Sequence, residues 1–576
     1  MKMSVLSRIS TTIVLTAFVT AVASATSAPT IEKPAVLEDA MISITVSDLQ
    51  GVMDGIGSVA VQVSPMMNSV MLKSLLGMQV GDPQLLGLPP GKGLAIVAMD
   101  PQHVFGVIEI AEAQLAGYTA KLETMGMQHR YQKGLLVVAK TAEALATGIA
   151  TAPDVSRTLL ATRSPTLRIA MQPAAYIAAN REQIQAMLAM LPATMATSMQ
   201  AAQQANPSVK APNISRILEG ELLVLLSIME QVAAVEVILA PKDGSLRISK
   251  VIDPMAGSRL AALCNAPTRN HWNSRVQAAA SRDGAIVVDF CIENTEALAA
   301  FVDAETEALI KAMKLEGAVS ASIRTFTQQY MALCGGTISE SIFGGKEPGL
   351  NIDYVMEIND ESAALDLLRS MSSELEASGF MKLYADMGMP ISFSFMENVR
   401  EYKGVNIHRF STGISMENIP AMQQQQMAAM NLTNMQYEVA ILDGVMAYTM
   451  GETMMGSVID RLQTPPATAP SLAARVIFPD GGFCYSDIDM GRYMAFMTSF
   501  VPAMPNNPLE LMAPLLKDAA PITSAGYRNN GRFEWGLHIP GSLLQSIGKA
   551  AMAMQMQRLQ TRPARPPQPA LPAHQP

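Results

Sequence analysis

Charge is scarce in this chain. Only 16% of its 576 residues are Asp, Glu, Lys or Arg, and aromatics reach just 5%. With 49% hydrophobic residues, that balance excludes a disordered, self-repelling polymer and requires packed cores. Cysteine is also scarce. Cys264, Cys291, Cys334 and Cys484 are too few to staple so long a chain, and their spacing matches no zinc pattern. The sequence leaves open four buried thiols or one or two disulfides.

Signatures of chemistry are missing as well. There is no Gly-x-Ser-x-Gly and no phosphate-binding loop. The run Pro89 to Gly93 lacks both the Walker spacing and the following Ser or Thr, and reads as a turn. Ser546-Ile547-Gly548-Lys549 fits Ser-x-x-Lys, but no Lys-Thr-Gly follows it, and it reads as the polar face of a last helix. The six histidines, His103, His129, His271, His408, His538 and His574, share no ligand spacing. No catalytic residue, metal site or cofactor is assigned. Beyond the N-terminus no membrane span is expected. The greasiest stretch, 218–240, holds Glu219, Glu221, Glu230 and Glu236, which are costly in lipid.

What is present begins with an export signal. Lys2 and Arg8 precede a mostly apolar run from Ile9 to Val22, and Ala23-Ser24-Ala25 is an A-x-A cleavage site. This places the protein in the periplasm or outside the cell, with a retained membrane anchor as the alternative. The formal charge is −9, and −11 once Lys2 and Arg8 leave with the leader. That disfavours nucleic acid and anionic lipid surfaces as non-specific partners.

Strand-like and helix-like segments then recur in order. Val104 to Ile110, Gly134 to Ala139 and Thr166 to Met171 each precede a helix; so do Asp353 to Ile358, Gly444 to Thr449 and Leu472 to Phe478. Asp-Gly at 243–244 and 443–444 and Asn-Gly at 530–531 sit between apolar runs, a strong hairpin signal. The expected fold is α+β: two related lobes, each a mainly antiparallel sheet with helices packed on one face. The organisation reads as leader 1–25, first lobe 26–264, second lobe 282–560 and a proline-rich tail 561–576. The order of segments resembles a tandem duplication.

The step Val-x-Glu-Ile occurs at Val107 to Ile110 and at Val355 to Ile358. Glu109 and Glu357 would be a pair for acid–base work only if the lobes met there. As members of alternating strands they read as solvated sheet residues, and the step as a building block.

The chain has 43 methionines. Many stand where leucine would fill a helical stripe, but thioethers can also serve adaptable binding surfaces or bind copper(I). Met187, Met190, Met195 and Met199 are the candidate apolar contacts, beside an apolar helix and a loop. The reading is a non-enzymatic binding or scaffold protein of the bacterial envelope, for a lipid-like ligand or an envelope protein. An envelope hydrolase with an unrecognised carboxylate or serine site is the alternative.

Overall fold

The computed structural model describes residues 40–560, apart from 81, 83, 162–164, 191–196, 198–214, 268–271, 292, 294, 345–349, 387–389, 416–433, 451–453, 466–470 and 499–507. The leader, the proline-rich tail, Met195 and Met199 lie outside the described residues.

The fold is mixed α+β, built on one 18-stranded sheet. In the first half of the chain the strands are β1 (Ile42–Val46), β2 (Leu94–Ala98), β3 (Val104–Glu109), β4 (Gln128–Gln132), β5 (Leu135–Ala139), β6 (Leu167–Met171), β7 (Val232–Lys242) and β8 (Ser245–Pro254). In the second they are β9 (Ile286–Cys291), β10 (Cys334–Gly344), β11 (Leu350–Ile358), β12 (Ile391–Tyr402), β13 (Val405–Ile414), β14 (Asn434–Leu442), β15 (Val445–Thr449), β16 (Cys484–Ile488), β17 (Ile522–Asn529) and β18 (Arg532–Ile539).

Every pairing is antiparallel. The midpoint is β8 against β18, with Ser249 opposite Gly536. Outward from β8 the order is β7, β6, β1, β2, β3, β5, β4. Outward from β18 it is β17, β16, β9, β10, β11, β15, β14, and then β13 and β12. The two runs share their order of pairing, and they share register. Ile44 pairs with Ile96 and Ile169, as Val288 pairs with Glu340 and Ser486. Gly106 lies between Ile96 and Val138, as Tyr354 lies between Glu340 and Tyr448.

Turn chemistry helps to fix that register. Lys133-Gly134, Asp243-Gly244, Asp443-Gly444 and Asn530-Gly531 all have positive φ at both residues. That is the two-residue hairpin geometry whose twist suits paired strands.

The helices include α1 (Leu49–Val63), α2 (Ser69–Val80), α3 (Leu115–Thr124), α4 (Ala142–Ala161), α5 (Ser274–Ala279), α6 (Glu296–Ala312), α7 (Gly317–Leu333), α8 (Glu361–Ala377), α9 (Met454–Gln463) and α10 (Gly541–Gln560). They cover both faces of the sheet, not one. In the first half Val97, Phe105, Val107 and Val137 pack with Ala152, Val155 and Leu159 of α4. On the opposite face Val46, Leu136 and Val138 pack with Val52 and Met53 of α1 and Tyr118 of α3. In the second half Met356, Val439 and Met446 pack under Phe326 of α7 and Leu368 and Met371 of α8. Their strand neighbours Val355, Ala440 and Ala447 pack under α5 and Met455, Val458 and Ile459 of α9. Burial on both sides explains why β5 (LLVVA) is an unbroken apolar run with no polar alternation.

The third expected strand of the second half is misplaced in the sequence reading. Residues 474–477 form a single helical turn, and the strand is Cys484–Ile488. Asp487 accepts hydrogen bonds from the Ala473 and Ala474 amides at 2.6 and 2.9 Å, so this short turn is capped by the strand behind it.

Candidate ligand-binding site

The repeated register places two rows of side chains on the sheet, each crossing several strands on one face. In the first half the row is Val138, Gly106, Ile96, Ile44, Ile169, Val237 and Lys250, on β5, β3, β2, β1, β6, β7 and β8. The helices α1 and α3 cover one end of these strands, over Val46 and Leu136. They leave the other end open. Ile96 is 47% exposed and Ile169 is 37% exposed, although β2 and β6 are interior strands. A Cβ at Gly106 would meet only the Ala95 carbonyl oxygen, at 3.8 Å. The floor is therefore apolar, open and unobstructed.

Lys250 follows Val237 in this row, with Trp535 of β18 beyond it. Burial pushes its ammonium below the usual lysine range, and among the described residues it has no hydrogen bond or ion pair. A desolvated cation without a partner is costly, and an anion beside it would relieve that cost. From Ile96 to Lys250 the row spans four strand spacings, about 19 Å, the length of a long acyl chain.

In the second half the corresponding row is Tyr448, Tyr354, Glu340, Val288, Ser486 and Ser524. Apart from Val288, which matches Ile44, its chemistry differs. The Ser486 and Ser524 hydroxyls bond to each other at 2.6 Å. Tyr330 of α7 comes down over the row, its hydroxyl 3.0 Å from that of Tyr354. The rings of Tyr354 and Tyr448 meet edge to face, with centroids 6.0 Å apart.

The opposite face of the second half carries a polar network. Asp289 is 1% exposed and accepts from Arg282 at 2.7 Å and from Ser339 at 2.6 Å. Arg475 approaches the same carboxylate at 3.6 Å, sandwiched between the rings of Trp272 and Tyr485 at 4.2 Å from each. Asp353 accepts from the Ser281 amide at 2.9 Å and from Arg461 at 3.2 Å, and Arg461 also holds the Ala279 carbonyl. These contacts tie the segment 272–283 and α9 to the sheet; both bonds to Asp353 fall on Oδ2, and its buried Oδ1 has no hydrogen-bond partner.

Glu109 is buried, contrary to the expectation of a solvated residue, while Glu357 keeps part of its surface. Glu109 is 5% exposed and accepts from the Gly93 amide at 2.9 Å; Glu357, half-buried, accepts from the Thr337 amide at 3.1 Å. Gly93 and Thr337 immediately precede Leu94 and Ile338, which pair with Ile108 and Met356. Each glutamate closes the end of its own hairpin in the same way. They stand in separate halves of the strand order, so no carboxylate pair forms.

Of the candidate methionines, Met187 and Met190 lie on the helical stretch 181–190 and are 65% and 63% exposed. Other methionines divide sharply. Met356 and Met455 are fully buried, whereas Met66, Met67, Met71 and Met78 form an exposed face on and before α2. The four cysteines are free thiols, and burial pushes the Cys264 and Cys334 thiols up to about 12. Among the described residues no cluster of three or more His, Cys, Asp or Glu could hold a metal ion, and no helix is long and apolar enough to cross a membrane.

No family model matches the chain, and neither a curated protein nor a solved structure matches it.

Proposed function

We propose that the chain is an exported, non-enzymatic binding protein for an elongated apolar molecule with an anionic end, a fatty-acid-like amphiphile. The molecule lies along Ile96, Ile44, Ile169 and Val237 with its anion against Lys250. The open apolar row that leads to a half-buried lysine, unpaired among the described residues, carries this reading. Binding sites of this kind are mostly apolar with a few placed polar groups.

The segment that joins β6 to β7 contains Met187, Met190, Met195 and Met199. Those strands carry Ile169 and Val237, so methionines on their connection are candidate adaptable contacts for an acyl chain. Export to the periplasm or beyond rests on Lys2, Arg8, the apolar run that follows and Ala23-Ser24-Ala25. Tandem duplication of one α+β unit is the proposed origin of the fold. It is supported by the common pairing order, the common register and the paired roles of Glu109 and Glu357.

The test is displacement of a fluorescent polyunsaturated fatty acid by palmitate and by hexadecanol, its neutral counterpart. Palmitate displaces the probe from the wild type. Lys250→Met weakens palmitate at least about tenfold and leaves hexadecanol unchanged, whereas Gly106→Phe weakens both by filling the floor. No probe binding to the wild type, or equal loss of both competitors in Lys250→Met, overturns the reading.

A further inference from the structure

The helix α2 is apolar on both of its sides. The inner side, Leu72, Leu76 and Val80, packs into the cluster that closes one end of the first-half floor, with Val46, Leu136 and Val138. A surface helix in water carries polar residues opposite such a stripe. Here the outer side is apolar instead. Val70 is 74% exposed, and Met71, Leu75 and Met78 are exposed beside it. Their spacing puts all four on one arc of the helix. Met66 and Met67, just before α2, extend the patch, and Met66 is 81% exposed. Single exposed apolar side chains are ordinary; six within 13 residues form a patch that marks an interaction surface.

The patch also lacks charge. Residues 65–80 contain one charged side chain, Lys73, and it is engaged by Asp54 of α1 at 2.7 Å. The polar groups on the outer arc are the neutral Ser74 and Gln79.

These features select among the possible occupants. Stable protein interfaces engage about 20–30 residues a side and are rimmed by polar groups, far more than this one short segment offers. A bilayer asks for less: a few flexible apolar side chains that enter the boundary between headgroups and acyl chains. Anionic lipid would call for free basic residues, and the patch has none. At 12 residues α2 is about 18 Å long, too short to cross a bilayer but long enough to lie in its surface.

We infer that the outer side of α2, with Met66 and Met67, is a docking face for a zwitterionic lipid bilayer. The helix lies in the plane of the bilayer surface, and its exposed methionine, valine and leucine side chains enter the lipid. Because its inner side rests on the cluster at the end of the floor, docking sets the proposed amphiphile site beside the lipid that would supply it.

Flotation with phosphatidylcholine vesicles tests this, using the chain without residues 1–25 so that the apolar leader cannot bind by itself. The wild type floats with the vesicles. Adding phosphatidylglycerol or raising the salt does not increase the bound fraction. The double variant Val70→Glu/Met78→Lys keeps the net charge and suits the helix dipole at both ends. It lowers the bound fraction at least about tenfold with an unchanged circular dichroism spectrum. No flotation of the wild type, or equal flotation of the variant, overturns the inference. So does a dimer in sedimentation that the variant dissociates and that does not float, which would assign the face to a second copy. Palmitate displacement is measured on the same two proteins and is expected to be equal. Its failure in both strikes the amphiphile site and leaves the docking face standing.

Discussion

Glu109 and Glu357 are small parts with a defined job. Each carboxylate takes an amide from across its hairpin, Gly93 just before β2 at 2.9 Å and Thr337 within β10 at 3.1 Å. Glu109→Ala leaves the buried Gly93 amide without an acceptor and costs about 1–3 kcal/mol. Glu109→Gln keeps an acceptor in place and costs less; thermal melting of both variants separates the two. At Glu340 the sign runs the other way from an ordinary paired carboxylate. Its folded value is raised from 4.5 to about 7. Between those limits the folded state holds a proton that the unfolded state releases, so stability falls as pH rises through the window. Asp353, raised from 3.8 to about 6 by burial, adds a slope of the same sign at lower pH. Glu340→Gln should flatten the melting profile between pH 6 and 7 and leave the acid part of the slope. An unchanged profile would mean that Glu340 is solvated.

Elements were legible in the sequence wherever local chemistry decides them. Asp-Gly and Asn-Gly turns between alternating runs marked β7–β8, β14–β15 and β17–β18 in the right places. The strand β4 (QHRYQ) was missed because it has no apolar face to announce it; it exists because β5 offers an edge. Leu472 to Phe478 misled for the converse reason. Leu472 and Phe478 are buried, but they flank a helical turn, and burial alone does not distinguish the two. Helices on both faces could have been read from β5 and from the start of β9 (IVVDFC), whose runs are apolar on both sides. Lys250 and Glu340 were not legible. Each is an ordinary polar position in an alternating strand until pairing register brings its row together. A test at this scale is Gly134→Ala. Gly134 has φ +82° with nothing near its missing Cβ, so the cost is conformational alone, about 1–2 kcal/mol. Chemical denaturation measures it, and a cost near zero would mean that the turn relaxes.

At the scale of the whole molecule the β8–β18 pair makes one sheet from two runs of strands. Its pattern is self-complementary about Ser249 and Gly536: Ile248 opposes Leu537, and Lys250 opposes Trp535. Helices also cross the middle. In α10, Gly548 lies so close to the Val63 carbonyl of α1 that a Cβ would stand 2.3 Å from it. One cooperative unit is expected from this interlocking. Hydrogen exchange should therefore release the β8 and β18 amides together with those of β1 and β9; earlier exchange at the junction would describe two independent bodies.

The central claim is that the first-half floor holds an apolar molecule. Native mass spectrometry of the full chain, purified gently from the cells that make it, tests it most directly beside Gly106→Phe. The wild type should carry a discrete extra mass that extracts into organic solvent, and Gly106→Phe should fly at the mass of the bare chain. A bare wild type, or the same extra mass on both proteins, would contradict the account.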